Sequence, residues 1–294
     1  MNLWFARNLS RRALGAALGG AVLAAPAMAQ ESAPTSQPMS APASQPTSAP
    51  MATDSTEVDA ATAVAMAIEE AQGMEAWSAH AGVMADITVA FHGNTRVDGR
   101  LIMRPDMSRI RIEGRDGSVM VWDGETAWLS PSDADPSGVR FNILTWPYFM
   151  AAPFKLRDPG SHLEDMGAMP AHGSEHRAVK LTFDEGVGDA PDDWYIVYED
   201  PETGLVCGMA YIVTFHSGGE GDHNPHAIVY KDQENEDGAL IATKWEFMAW
   251  SEEEGPHGDP VGEAHLSHVR FVEPPDSAFE RPEDSVEVPM PERE

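Results

Sequence analysis

The chain of 294 residues holds one cysteine, Cys207, so no disulfide can form within it, whatever compartment it occupies. Basic residues are scarce. Lys and Arg number 19 against 48 Asp and Glu, for a formal charge of −29. Such a surface repels nucleic acid, and a firm grip on an anionic membrane needs basic residues that are missing here. There is no Gly-x-Ser-x-Gly elbow, phosphate-cradling loop, dinucleotide fingerprint or His-Glu-x-x-His pair. The sequence therefore lacks the usual marks of the enzyme classes that carry them, and no cofactor is expected.

Long apolar runs are also missing beyond the N-terminus. There, Arg7, Arg11 and Arg12 precede an apolar, small-residue stretch, Ala13 to Ala25, and Ala27-Met28-Ala29 fits an Ala-x-Ala cleavage site. That layout predicts a cleaved secretory signal peptide over residues 1–29, with an apolar run shorter than the ~18 residues of a membrane span. Ser10-Arg11-Arg12 also fits twin-arginine export, so the route stays open. No cysteine follows the apolar run, so no bacterial lipid anchor is expected, and no later segment is long enough to span a bilayer. The expected location is the periplasm or another exported site. Three of the 19 basic residues and none of the 48 acidic ones lie in the signal, which takes the formal charge of the remainder from −29 to −32.

Residues 30–55 consist of Ser, Ala, Pro, Thr and Gln with recurring Ser-Gln-Pro and Ser-Ala-Pro, which reads as a disordered or polyproline-like linker. From Pro274 to Glu294 the chain is Pro- and Glu-rich, and an acidic, loose tail is expected. One domain over residues 57–273 lies between them, long enough to bury a sizeable core.

Within that domain Val58, Ala61, Val64, Ala65, Ile68 and Ala71 fall at helical spacing, predicting one amphipathic helix of about 18 residues capped by Asp54, Ser55 or Thr56. The period then changes to two. Runs at 84–91, 97–103, 109–113, 118–122 and 126–129 read as strands, the last two around an Asp123-Gly124 turn. Asn142 to Leu156 interrupts them with a short helix expected from Pro147, apolar on most sides, as in helices that are buried or line something greasy. Strands resume at 178–183, 194–199, 208–215, 227–231, 239–250 and 265–272. The fold class is mainly β (α+β), a strongly curved antiparallel sheet of about ten or eleven strands covered by an N-terminal helix and a short helical insertion.

Several motifs carry a resemblance: Trp146-Pro147-Tyr148-Phe149, Pro153-Phe154-Lys155-Leu156, Leu181-Thr182-Phe183 with Gly186-Val187-Gly188, Asp192-Asp193-Trp194-Tyr195, and Asp200-Pro201-Glu202-Thr203-Gly204 with Tyr211-Ile212-Val213. Together with the element order they resemble a bacterial exported family with a LolA/LolB-like, lipoprotein-chaperone-like half-barrel, for which no catalytic residues are established. The resemblance spans nearly all of 57–273. It implies a half-barrel whose cleft takes acyl chains or another apolar ligand. The chain departs from the lipoprotein chaperones in its long Pro-rich linker, its acidic tail and its higher acidity.

The first candidate site is the aromatic group Trp146, Tyr148, Phe149 and Phe154, either a lid over the mouth of the sheet in contact with ligand or a plug with no cavity behind it. A second lies in a glycine-rich loop, where His216, Asp222, His223 and His226 have the donor types that suit zinc or nickel but match no spacing template. Cys207 reads as a packing residue, and His265 and His268, three apart on a strand, are expected on opposite faces. Three functions follow: a non-catalytic binder of a lipid or other apolar small molecule in the envelope, a metal-dependent hydrolase using the His/Asp loop, and a structural module that binds another envelope protein. Nucleic acid is not an expected partner.

Overall fold

A computed structural model describes residues 58–190, 192–215 and 224–290. The signal peptide, the linker and the loop residues His216, Asp222 and His223 lie outside the described residues.

Helix α1 (Ala60–Gln72) begins where Asp59 accepts the backbone N–H of Thr62 at 2.9 Å and its hydroxyl at 2.8 Å, the N-cap arrangement that satisfies an otherwise orphaned donor. The cap is therefore Asp59, not one of the residues 54–56, and the helix is shorter than the spacing suggested. It buries Ala61, Val64, Ala65 and Ile68. At Gly73 the backbone turns left-handed (φ +88°) and a second short helix, α2 (Met74–Ala79), leaves at a new angle.

Thirteen strands then form one antiparallel sheet among the described residues: β1 (Gly82–Phe91), β2 (Asn94–Met103), β3 (Ile110–Gly114), β4 (Val119–Trp122), β5 (Ala127–Ser130), β6 (Ser161–Ala171), β7 (Ser174–Phe183), β8 (Tyr195–Glu199), β9 (Val206–Tyr211), β10 (His226–Glu236), β11 (Ala239–Ser251), β12 (Gly255–Val272) and β13 (Val286–Val288). The order across the sheet is β13-β5-β4-β3-β2-β1-β12-β11-β10-β9-β8-β7-β6. Two sequential meanders thus join through the β1–β12 pair, with β13 and β6 at the open edges. Helix α3 (Val139–Ala151) lies between β5 and β6 in sequence.

The curvature follows from what α3 touches. From β4 to β9 there are seven strand steps, about 33 Å on a flat sheet. Arg140 and Phe149 are only about 13 Å apart along a helix. Yet the Arg140 guanidinium lies 5.0 Å from the Trp122 ring on β4, and the Phe149 ring lies 5.0 Å from the Tyr211 ring on β9. A flat sheet cannot meet both contacts, so this one curls around the helix as an open half-barrel. Its concave side carries alternate residues of nearly every strand, among them Ile87, Leu101, Ile112, Leu129, Val197, Ile228, Trp245 and Leu266, in one continuous core.

Several elements differ from the sequence reading. The helical insertion begins at Val139 and runs through Pro147 instead of starting there. Strand β6 went unrecognised because nine of its eleven residues are exposed or half-buried and two of them, Glu164 and Asp165, are acidic, which erases the apolar alternation. The segment after Pro274 is not a loose tail up to Met290. A 3-10 turn at Asp276–Phe279 packs on β3, Phe279 is buried, Arg104 and Arg111 bond to Asp276 and to the Ala278 carbonyl, and β13 pairs with β5. His265 and His268 are both exposed. A bulge opposite Ala85, with His268 at φ +54°, resets the alternation between them.

Gly73 gives the first prediction. A Cβ there would stand 2.1 Å from the Gly238 carbonyl oxygen, on top of the left-handed φ, whereas Gly93 (φ +77°) has nothing within 4 Å. Gly73→Ala is expected to cost more than about 2 kcal/mol in denaturant unfolding and Gly93→Ala only about 1 kcal/mol. Equal losses would contradict the close packing of the α1–α2 corner on the β10–β11 turn.

Candidate ligand-binding site

Helix α3 has no fully exposed residue. A helix apolar on most sides is buried, and this one lies in the trough of the half-barrel with a half-buried side formed by Phe141, Asn142, Leu144, Thr145 and Tyr148. Trp146, Phe149 and Phe154 are 4 %, 2 % and 1 % exposed, and Tyr148 is half-buried. The structure brings three of the four into one aromatic group. Trp146 contacts Phe91, Phe141, Phe149 and Phe247, and its indole N–H donates to Asn142 at 2.9 Å. Phe149 meets Tyr211 and Phe247, and Tyr148 meets Tyr195. The Tyr230 hydroxyl donates to the Phe149 carbonyl at 2.7 Å, which fastens the helix to β10. Burial pushes the hydroxyls of Tyr148, Tyr195, Tyr211 and Tyr230 well above the usual tyrosine range, so they stay protonated.

Phe154 stands apart. It lies in the 3-10 turn Ala152–Phe154 and stacks flat on Trp77 of α2, with centroids 4.3 Å apart and planes 1° from parallel. One side of Phe154 borders an interior void of about 10 Å³ that it shares with Phe149, Tyr230 and Trp245, room for about one water. The other side borders a recess of about 450 Å³ that opens to solvent between α2, the β2–β3 turn and the loop after α3. That volume lies in the range of small-ligand sites. Its walls include Trp77, Phe154, Arg104, Lys155, Asp106 and Asp158. No motif signals this recess, because three segments far apart in the chain build it and only Phe154 and Lys155 belong to a conspicuous run.

A buried ion pair holds the opposite end of α3. Arg140 and Asp189 form an ion pair in which both side chains are about nine-tenths buried, and Arg140 Nη2 donates to Asp189 at 2.9 Å. Arg140 also stacks over Trp122, so one side chain ties α3 to β4 and to the β7–β8 loop. In the same loop Asp193 accepts the Thr214 N–H at 2.6 Å and its hydroxyl at 2.7 Å. Burial nevertheless pushes the Asp193 carboxyl up to about 6, with the neighbouring Asp192 adding to the rise and Thr214 opposing it.

Of the metal candidates, His226 is the one among the described residues. His226 opens β10 with its ring 6.2 Å from that of Tyr211, while its three sequence companions lie outside the described residues. Among the described residues no group of three His, Cys, Asp or Glu is placed to hold a metal ion. Cys207 packs on a smaller apolar cluster outside the trough, formed by Met169, Ala178, Ile196, Tyr198 and Ala210. Burial pushes its thiol up to about 12, so its neighbour His176, 3.6 Å away, faces a thiol and not a thiolate. No helix among the described residues is long and apolar enough to cross a membrane.

No protein-family model matches the chain, and no curated protein does. Among solved structures it is similar to a LolA superfamily protein from Nitrosomonas europaea, at 12% identity over 75% of this chain and 97% of that one, with a TM-score of 0.48. It is also similar to a DUF1329 family protein from Desulfovibrio piger, at 13% identity over 76% and 98%, TM-score 0.42. A putative outer membrane lipoprotein-sorting protein domain from Vibrio parahaemolyticus matches at 10% identity over 70% and 91%, TM-score 0.43.

Two predictions follow from the β7–β8 loop. Asp189→Ala leaves Arg140 as an unpaired buried charge and is expected to cost about 3–5 kcal/mol in chemical denaturation. Asp193 behaves differently. Its folded pKa lies above the unfolded one, so the fold holds the proton more tightly, and stability is lost as pH rises from about 4 through 6. Asp193→Asn keeps an amide oxygen for Thr214 and is expected to gain about 1–3 kcal/mol at pH 7.5 with little change at pH 4. A variant less stable than the parent at pH 7.5 would contradict this assignment.

Proposed function

We propose that this is an exported cell-envelope protein that binds a lipid or other apolar ligand, without catalysis, on the concave side of its half-barrel. The observation that carries the reading is the trough itself. A single apolar face runs across the sheet, and what covers it is a helix with no exposed residue, apolar on most sides. Trp146, Tyr148 and Phe149 are the side chains that a ligand in the trough would meet, and Phe154 is the one it would pass. The interior void of about 10 Å³ holds no acyl chain, so occupancy requires α3 to move and the ligand to take over part of its contacts.

The filled trough also favours a second reading, an interaction module whose core is permanently closed and whose partner is another envelope protein. A metal-dependent hydrolase built on His216, Asp222, His223 and His226 has less behind it, since the described member of that set, His226, sits beside Tyr211.

Gentle purification of the exported protein, followed by mass spectrometry of its lipid extract and of the intact chain, separates these readings. The expected result is an apolar species in near-stoichiometric amount on a chain beginning at Gln30. A lipid-free protein that co-purifies with an envelope protein would instead support the interaction module, and bound zinc or nickel would support the hydrolase.

A further inference from the structure

The recess beside Trp77 has a charge pattern of its own. Lys155 extends over it, pairs with Asp158 and donates to the Asp106 carbonyl at 3.2 Å. Arg104 donates to the Ala81 carbonyl at 2.9 Å and pairs with Asp276 at 2.7 Å. Asp106 is fixed by the N–H and hydroxyl of Ser108 at 2.9 and 2.6 Å. Two cations and two anions, Arg104 and Lys155 against Asp106 and Asp158, therefore line one opening whose floor is the Trp77–Phe154 stack.

The Arg104 and Lys155 side chains are 24 % and 14 % exposed, and each holds one carboxylate and one backbone carbonyl. The carboxylates are the accessible partners, Asp276 at 95 % and Asp158 at 40 % exposed, and pairs to exposed groups hold little energy, so an incoming anion can replace these carboxylates while the carbonyl bonds stay. A phosphate would be recognised by Arg104 and Lys155. A purely anionic ligand would still meet the repulsion of a chain of formal charge −29. A head with both signs avoids that repulsion and uses Asp106 and Asp158 as well. Phe154 is the residue that lines both the recess and the interior void. A chain leaving the recess for the trough would pass this ring and Trp77, which stacks on it.

We infer that the recess is a headgroup site for an alkyl amphiphile with a zwitterionic phosphate head, the phosphate on Arg104 and Lys155, the cationic end toward Asp106 and Asp158, and the chain directed past Phe154. This rests on the apolar-ligand reading above and specifies its ligand class and the end of the trough at which the ligand enters.

The test is calorimetric titration of the full chain with dodecylphosphocholine, dodecyl phosphate, dodecanol and chain-free phosphocholine, each below any micelle-forming concentration. Dodecylphosphocholine is expected to bind at least tenfold more tightly than dodecanol, and the double variant R104Q/K155Q to remove most of that advantage. D158N, at an exposed position, is expected to weaken dodecylphosphocholine and to tighten dodecyl phosphate severalfold. If the double variant fails to fold, D158N alone decides. The same response of both probes to D158N, or none, overturns the headgroup site. Equal binding of dodecanol and dodecylphosphocholine also overturns it while leaving the apolar-ligand reading in place. Chain-free phosphocholine binding as tightly as dodecylphosphocholine overturns it in favour of a small-ion site. If no alkyl compound binds, both readings fall.

Discussion

The structure depends on one requirement: an open sheet that curls must hide its concave apolar face from water. A closed barrel meets it by interdigitating its own side chains, but this sheet has two edges, β13 and β6, and a gap between them. Helix α3 covers the concave face. Each large apolar side chain buried in this way contributes about 1.5–3 kcal/mol, so the contacts of Trp146 and Phe149 with the strands are a substantial part of what keeps the sheet curled. The same demand explains why the insertion is apolar on most sides and why it is tied at both ends, by Tyr230 in its last turn and by Arg140 at its start.

What holds α3 in place differs from one end to the other. At the start, the buried Arg140–Asp189 pair ties the helix to the β7–β8 loop through a contact that is costly to break singly. At the other end the Tyr230 hydroxyl holds the Phe149 carbonyl, and beyond Ala151 the chain is held by the flat Trp77–Phe154 stack and by Arg157, whose N–H and guanidinium bond to the buried Glu69 of α1. Beside this second end the recess opens to solvent, with the buried Phe154 ring at its floor. The proposed entrance rests on that recess.

Much of this fold was legible from period-two patterning, because strands such as β1, β3 and β11 have one buried and one solvated face. The apolar character of 142–156 likewise foretold burial, and the group Trp146, Tyr148 and Phe149 does face the concave side. Other features had no such signal. Strand β6 is an exposed edge, so its residues answer to solvent and to solubility, not to a core. The ordered segment after Pro274 is held by Arg104 and Arg111, contacts nearly 170 residues distant in sequence, which no local composition can announce. Phe154 was grouped with the other aromatics on sequence proximity, yet the 3-10 turn swings it onto Trp77. The recess is a product of that turn and could not be read before it.

The central claim is that α3 is a displaceable cover and not a permanent part of the core. Amide hydrogen exchange of the intact protein, with and without a saturating alkyl amphiphile, tests it most directly. The account predicts that the amides from Asn142 to Ala151 exchange through a local opening faster than those of β1 and β12. It also predicts that ligand changes exchange in α3 while the central strands stay as they were. If α3 exchanges only with global unfolding, at the same rate as β1 and β12 and regardless of ligand, the helix is a fixed core element and the account is wrong.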